Sequence, residues 1–186
     1  ELIVLDVSRS NRNEKKFIEH VRSLSEECFI PIAAGGGIRN IKQAQKLLYS
    51  GADKIVVNSL LASDKDAIIA LASEFGQQCL IASVDVKSSE DGFRVWIENG
   101  TTMMDTFLSE YLKDILSLPV GELYLNSMDR DGTGQGYEYE LLDLLPTPMQ
   151  IPVILAGGAG NGEHLIEGLK DSRVDAVSTA HLFNFV

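Results

Sequence analysis

One stretch of this chain is written twice. Ile30-Pro31-Ile32, followed by Gly35-Gly36-Gly37, returns as Ile151-Pro152-Val153, followed by Gly157-Gly158. Pro31 and Pro152 stand 121 positions apart, and Glu1-Leu2 and Glu122-Leu123 keep the same spacing. Ala52-Asp53-Lys54-Ile55 has a counterpart one residue further on, in Val174-Asp175-Ala176-Val177. An apolar run closed by consecutive glycines reads as a buried strand feeding a tight turn into a helix. A unit of about 120 residues, doubled, gives about 240, close to the ~250 residues of a (β/α)8 barrel.

The remaining segments alternate in the same manner. Apolar runs at residues 2–7, 29–34, 53–57, 79–86, 122–125, 151–155 and 174–178 suit parallel strands covered on both faces. Asn13 can cap a helix whose apolar positions Phe17, Val21, Leu24 and Cys28 recur at helical spacing. A second helix places Ile41, Ala44 and Leu48 on one face and stops at Gly51. Further helices are expected at residues 67–75, 102–116, 139–145 and 163–169, with a hairpin around residues 93–97 inside a long loop. Seven strands with alternating helices fit either an open doubly wound sheet or a closed barrel, and the repeat favours the barrel. The strand at residues 79–86 should then have a partner 121 residues earlier, upstream of Glu1. The expectation is one partial (β/α)8 TIM barrel domain over residues 1–186, carrying strands 2 to 8, with strand 1 missing and the last helix cut short.

Charge and composition narrow the function. A net charge of −11 argues against a nucleic-acid partner, whose binding runs on Lys and Arg. No apolar run approaches the ~20 residues of a membrane span. Cys28 and Cys79 lie far apart in apolar segments and read as buried free thiols, which fits a reducing, cytoplasmic setting. His20, His164 and His181 are scattered, no Cys/His cluster has metal spacing, and no cofactor is implied.

In such barrels the active site lies at the C-terminal ends of the strands. Here those ends carry Asp6, Gly35 to Gly37, Asn58-Ser59, Asp85, Asn126 to Asp131, Gly157 to Gly160, and Ser178 to Ala180. The richest is the stretch from Leu125 to Thr133, where a strand runs directly into two carboxylates, an arginine and a glycine. Polar groups at the exit of a buried strand are costly to desolvate, although Asp-Gly also makes an ordinary solvated turn. The two glycine-rich turns each open a helix, so their backbone N–H groups can receive a phosphate. Two such turns on opposite halves of a ring suit a substrate phosphorylated at both ends; tight turning alone is the plainer reading of either one. Asp85 and Asp131 are candidates for proton transfer, and Asp6 for support of neighbouring loops. At the other end of the strands, Glu1, Lys54 and Glu122 occupy matching starts. They make either exposed rim charge or a charged ring around a passage.

Together these residues resemble the cyclase subunit of imidazole glycerol phosphate synthase. The specific pieces are Asp129-Arg130-Asp131-Gly132-Thr133 followed by Gly136-Tyr137, Gly35-Gly36-Gly37-Ile38, Ala52-Asp53-Lys54 through Asn58-Ser59, and the Asp85 strand. The resemblance implies a (β/α)8 barrel that takes ammonia from a glutaminase partner docked at the barrel bottom. It implies that this ammonia is joined to a doubly phosphorylated ribulosyl intermediate, which is then cleaved and cyclised to imidazole glycerol phosphate and an aminoimidazole ribonucleotide in histidine synthesis. It implies Asp85 as the second catalytic aspartate, the general acid or base, and Asp131 as a supporting active-site acid. Gly37, Asn58 and Ser59 match one phosphate site, and Gly157, Gly158, Thr179 and Ala180 the other. Asn126 and Ser127 accompany the acids. Glu1, Lys54 and Glu122 match an ammonia gate, and Asp53 a residue facing the glutaminase.

The chain departs from that family in places. The first catalytic aspartate of the family, on strand 1, has no counterpart, position 126 is Asn where the histidine enzyme usually carries Thr, and His181 stands where a small hydroxyl residue is common. Glu26-Glu27-Cys28-Phe29-Ile30-Pro31 with Asn126-Ser127 looks more like paralogues that amidate a sugar in surface (lipopolysaccharide-type) polysaccharide synthesis. Two other readings stay open: a phosphoribosyl isomerase of the same superfamily, and a barrel kept as a non-catalytic scaffold.

Overall fold

The computed structural model describes residues 1–8, 10–180 and 182. The chain falls into two compact units, Glu1–Ala82 with Leu118–Gly121, and Ser83–Ser117 with Glu122–Val186.

The first unit contains β1 (Leu2–Leu5), α1 (Glu14–Glu27), β2 (Ile32–Gly35), α2 (Ile41–Leu48), β3 (Lys54–Val57), α3 (Ser59–Ser63), α4 (Lys65–Phe75) and the opening of β4 (Leu80–Ser89). Its strands run parallel in the order β1-β2-β3-β4, with Ile3 beside Ala33, Ala34 beside Ile55, and Val56 beside Ile81. Every side chain of β2 is buried, as are Ile55, Val56 and Val57 of β3. Asn13 caps α1 by accepting from the Lys16 N–H at 3.0 Å. The α4 cap is Asp64, whose carboxylate accepts from Ala67 N at 2.9 Å.

The second unit continues β4 and adds β5 (Gly92–Ile97), β6 (Thr102–Phe107), α5 (Leu108–Ile115), β7 (Glu122–Ser127), β8 (Val153–Ala156), α6 (Gly162–Lys170) and β9 (Ala176–Val177). Strands β4-β7-β8-β9 lie in that order, β7, β8 and β9 being parallel. β5 and β6 form an antiparallel hairpin on the end of β4. The class is the expected α/β with parallel strand–helix units, consistent with part of a (β/α)8 barrel.

The repeat seen in the sequence is a repeat of hydrogen bonds. Leu2 N donates to Pro31 O at 2.9 Å, and Leu123 N to Pro152 O at 2.9 Å. Asp53 donates its N–H to Ile32 O at 2.8 Å while its carboxylate accepts from Ile32 N at 2.8 Å; Asp175 clamps Val153 in the same way, at 2.9 Å for both bonds. Asn40 caps α2 and Asn161 caps α6, accepting from Gln43 N at 3.1 Å and His164 N at 2.9 Å. Gly36 and Gly157 have positive φ, and a Cβ on either would strike the backbone of Asp6 or Ser127. Close approach of neighbouring strand ends is therefore what makes these two positions glycine.

Three segments differ from expectation. Residues 102–116 are a strand followed by a helix, because the Thr-Met-Met-Asp-Thr segment pairs with β5 and the helix begins only at Leu108. Pairing in the hairpin overrides the local helical pattern. Residues 139–145 form a 3-10 turn, Tyr139–Leu144, which Pro146 stops by disfavouring the helical conformation of Leu145. The short α3 begins straight after Asn58, where only a strand end was read. Cys28 and Cys79 are free, as expected, but half-buried rather than buried.

Candidate active site

In the second unit the alternation of β4 places Ser83, Asp85 and Lys87 on one face, and that of β7 does the same for Glu122, Tyr124 and Asn126. The two faces meet: Asn126 Nδ2 donates to Asp85 Oδ1 at 2.9 Å. Burial raises the Asp85 carboxyl above its ordinary range. The Asn126 hydrogen bond works against that rise, and the negative charge of Asp131 adds to it. A carboxyl raised in this way holds its proton more tightly than an exposed one, which suits a group that gives and takes a proton.

Asp131 is exposed on the loop after β7, with its N–H bonded to Ser127 O at 3.0 Å. The same loop is fastened at several points. Asp129 Oδ2 accepts from Ser88 N at 2.7 Å, the Thr133 hydroxyl donates to Arg130 O at 2.6 Å, and Gly136 N donates to Gly158 O at 2.8 Å. Ser127 lies on the opposite face of β7 from Asn126 and is fully buried. Its hydroxyl donates to Glu138 and accepts from Arg130 N, so it organises the loop from the core side.

Gly157 and Gly158 are buried at the end of β8, both with positive φ. Thr179 follows β9, and its Oγ1 is buried with no hydrogen-bond partner among the described residues; Ala180 beside it is exposed. His181 lies outside the described residues. Two tyrosines belong to this neighbourhood: Tyr124, passed over in the sequence, and Tyr137, read there only as part of the Gly136-Tyr137 motif and given no role. Tyr124 OH is 3.3 Å from Ser178 Oγ, and Tyr137 OH donates to Ser178 O at 2.9 Å. Burial raises both phenols, Tyr137 to about 12. The two-residue period linking Glu122, Tyr124 and Asn126 was the available signal for Tyr124.

In the first unit Asp6 is held by its own loop. Ser8 N donates to its Oδ1 at 2.9 Å, and Arg12 Nε lies 3.0 Å from its Oδ2 as an ion pair without hydrogen-bond alignment. Burial acts to raise the Asp6 carboxyl, but Ser8 and Arg12 together leave it below its ordinary range. This fits a support residue. Gly36 and Gly37 line a cavity of about 210 Å³ with Asp6, Arg12, Glu14 and Gln43. The Arg12 guanidinium occupies the space a Gly37 side chain would need. Asn58 and Ser59 are half-buried at the end of β3, where Ser59 Oγ donates to Asn58 Oδ1 at 3.4 Å.

At the opposite strand ends Lys54 Nζ pairs with Glu1 Oε2 at 2.8 Å, two half-exposed side chains. Glu122 is half-buried at the start of β7. The Asp53 carboxylate is engaged within the chain by Ile32, as described above. Among the described residues no group of three or more His, Cys, Asp and Glu could hold a metal, and no helix is long and apolar enough to cross a membrane.

The family model described as histidine biosynthesis protein matches residues 1–185. A protein of Parasynechococcus marenigrum strain WH8102, provisionally named imidazole glycerol phosphate synthase subunit hisF2, is 42% identical over 186 residues, all of this chain and 69% of that protein. The imidazole glycerol phosphate synthase subunits HisF of Chlorobaculum tepidum and Chlorobium limicola are 38% and 37% identical over 185 residues, 100% of this chain and 74% of each relative. The chain belongs to the histidine biosynthesis protein family, and within it to the HisF-like subunits of imidazole glycerol phosphate synthase.

Proposed function

We propose that this chain is the cyclase part of a glutamine amidotransferase pair. It uses ammonia from a glutaminase partner on a doubly phosphorylated ribulosyl substrate to form imidazole glycerol phosphate and an aminoimidazole ribonucleotide. One observation carries the reading: a half-buried carboxyl, Asp85, raised by desolvation, held by Asn126 and biased by the charge of Asp131. In the proposed reaction the ammonia nitrogen bonds to the ribulosyl ketone carbon as its C=O π bond breaks, the oxygen leaves as water, and Asp85 carries protons from the nitrogen to that departing oxygen. Asn126 aims the carboxyl, and Asp131 keeps its proton affinity high. The unpartnered Thr179 hydroxyl, with Gly157, Gly158 and Ala180, is suited to a phosphate oxygen, since a buried hydroxyl seeks a partner. Gly37, Asn58 and Ser59 receive the second phosphate. Glu1, Lys54 and Glu122 gate the ammonia, and Asp53 belongs to the surface facing the glutaminase.

The test supplies ammonium salt directly and measures turnover. Asp85→Asn keeps an oxygen that can accept from Asn126, so the fold should persist while turnover falls by about 10²–10⁴, the usual contribution of a general acid or base. A loss under tenfold in a folded variant would remove Asp85 from the reaction. Asn126 also favours a second reading, the paralogue that amidates a sugar, because the histidine enzyme usually carries Thr there. Turnover of an amidated sugar precursor, with none of the ribulosyl substrate, would select that reading.

A further inference from the structure

Three buried side-chain atoms among the described residues lack a hydrogen-bond partner: Arg12 Nε, Thr179 Oγ1 and Trp96 Nε1. Buried donors are seldom left so, and each asks for an explanation. Arg12 has the Asp6 carboxylate at 3.0 Å, and Thr179 belongs to the anion site already proposed. The indole of Trp96 has neither excuse.

Trp96 on β5 stands directly opposite Asp85 on β4. Residues opposite one another in an antiparallel ladder project on the same face. Lys87, two residues beyond Asp85, shares that face, and its ammonium sits 4.6 Å from the Trp96 ring centroid. Among the described residues Lys87 forms no ion pair, so its charge is held over an aromatic ring and not on a carboxylate. The neighbouring cation of the hairpin is different: Arg94 packs on Phe107 at 3.7 Å and faces Asp105 at 3.9 Å. The β5–β6 register also breaks between Arg94 and Trp96. Such irregularities re-aim side chains and concentrate beside active sites.

We propose that Lys87 and Trp96 form an oxyanion clamp beside Asp85, in which the ammonium supplies charge and the indole N–H one directed hydrogen bond to a phosphate or carboxylate oxygen of the substrate. The clamp rests on the reading of Asp85 as the reacting acid–base group. It makes the hairpin a specificity element, choosing substrates that carry an anionic oxygen close to the reacting centre.

Trp96 is the only tryptophan of the chain, so its emission reports from the clamp itself. The full chain is titrated with inorganic phosphate and, separately, with malonate. A saturable emission change is expected with at least one of them; phosphate alone assigns a phosphate ligand, and malonate alone a carboxylate. Lys87→Met should weaken the response about tenfold or more, the scale of one lost charge-assisted hydrogen bond. Trp96→Phe, followed by calorimetry, should weaken binding about three- to tenfold. Asp85→Asn should leave binding intact or tighter while turnover collapses. A flat titration with both anions, or a Lys87→Met response equal to wild type, overturns the clamp. Turnover retained in Asp85→Asn overturns the acid–base reading instead.

Discussion

Replacing Asn126 by Leu isolates the bond that holds the candidate acid. The substitution is close in volume and removes the donor 2.9 Å from Asp85 Oδ1. A hydrogen bond to a charged acceptor contributes about 1.5–3 kcal/mol, so stability at neutral pH should fall by that amount. For a chain of this size each kcal/mol lowers Tm by about 2–4 °C, giving a fall of roughly 3–12 °C. The pH dependence carries the sign. Burial holds the folded Asp85 carboxyl above its unfolded value, so this group contributes stability that is complete below the unfolded value and is lost as pH rises through the folded one. Asn126 opposes that loss by favouring the carboxylate. The gap between wild type and Asn126→Leu should therefore be widest at neutral pH and close below about pH 4, where both states are protonated. In turnover, the limb of the pH profile that reports Asp85 should move to higher pH. Denaturant melts at pH 4 and pH 7, with a pH–rate profile, decide the matter. A stability gap equal at both pH values would show that the lost contact is packing and not a bond to the carboxylate.

The other expectations are independent of this one. Gly157→Ala should cost about 2 kcal/mol or more, because its positive φ penalises a side chain and its Cβ would strike the Ser127 carbonyl oxygen; Gly162→Ala, with open space around it, should be within about 0.5 kcal/mol of wild type. Asp53→Ala and Asp175→Ala should each lose about 1–3 kcal/mol by stranding the Ile32 or Val153 N–H, and near-neutral melts would refute the clamp role of these aspartates. Lys54→Ala should change stability by less than about 1 kcal/mol, as expected for a half-exposed pair, yet depress glutamine-dependent turnover more than ammonia-dependent turnover. Equal loss with both nitrogen sources would count against a gate.

Much of the fold was legible because its signals are local. Continuous apolar runs announced the parallel strands, Asn13 announced a helix start, and the doubled Ile-Pro to Gly-Gly stretch announced two equivalent turns. Thr102 to Phe107 misled because nothing in that segment records that Arg94 and Trp96 lie across from it. Asp85 was visible as a lone acid at a strand end, whereas its bond to Asn126 depends on two strands 41 positions apart coming side by side. Ser127 was grouped with Asn126 by adjacency, but a strand turns neighbouring side chains to opposite faces, and the serine went to the core. Trp96 and Lys87 were unremarkable in a loop of mixed polarity until the hairpin set them on one face with Asp85.

The doubled aspartate clamps and asparagine caps give each half an internal control. Where matched positions keep the same residue, as at Asn40 and Asn161, folding alone accounts for the choice. Where they diverge, the demand has come from elsewhere: Leu5 and Asn126 occupy equivalent places, yet only the second faces an acid. Exchanging such unlike pairs between the halves, one position at a time, would separate what the architecture requires from what the chemistry does.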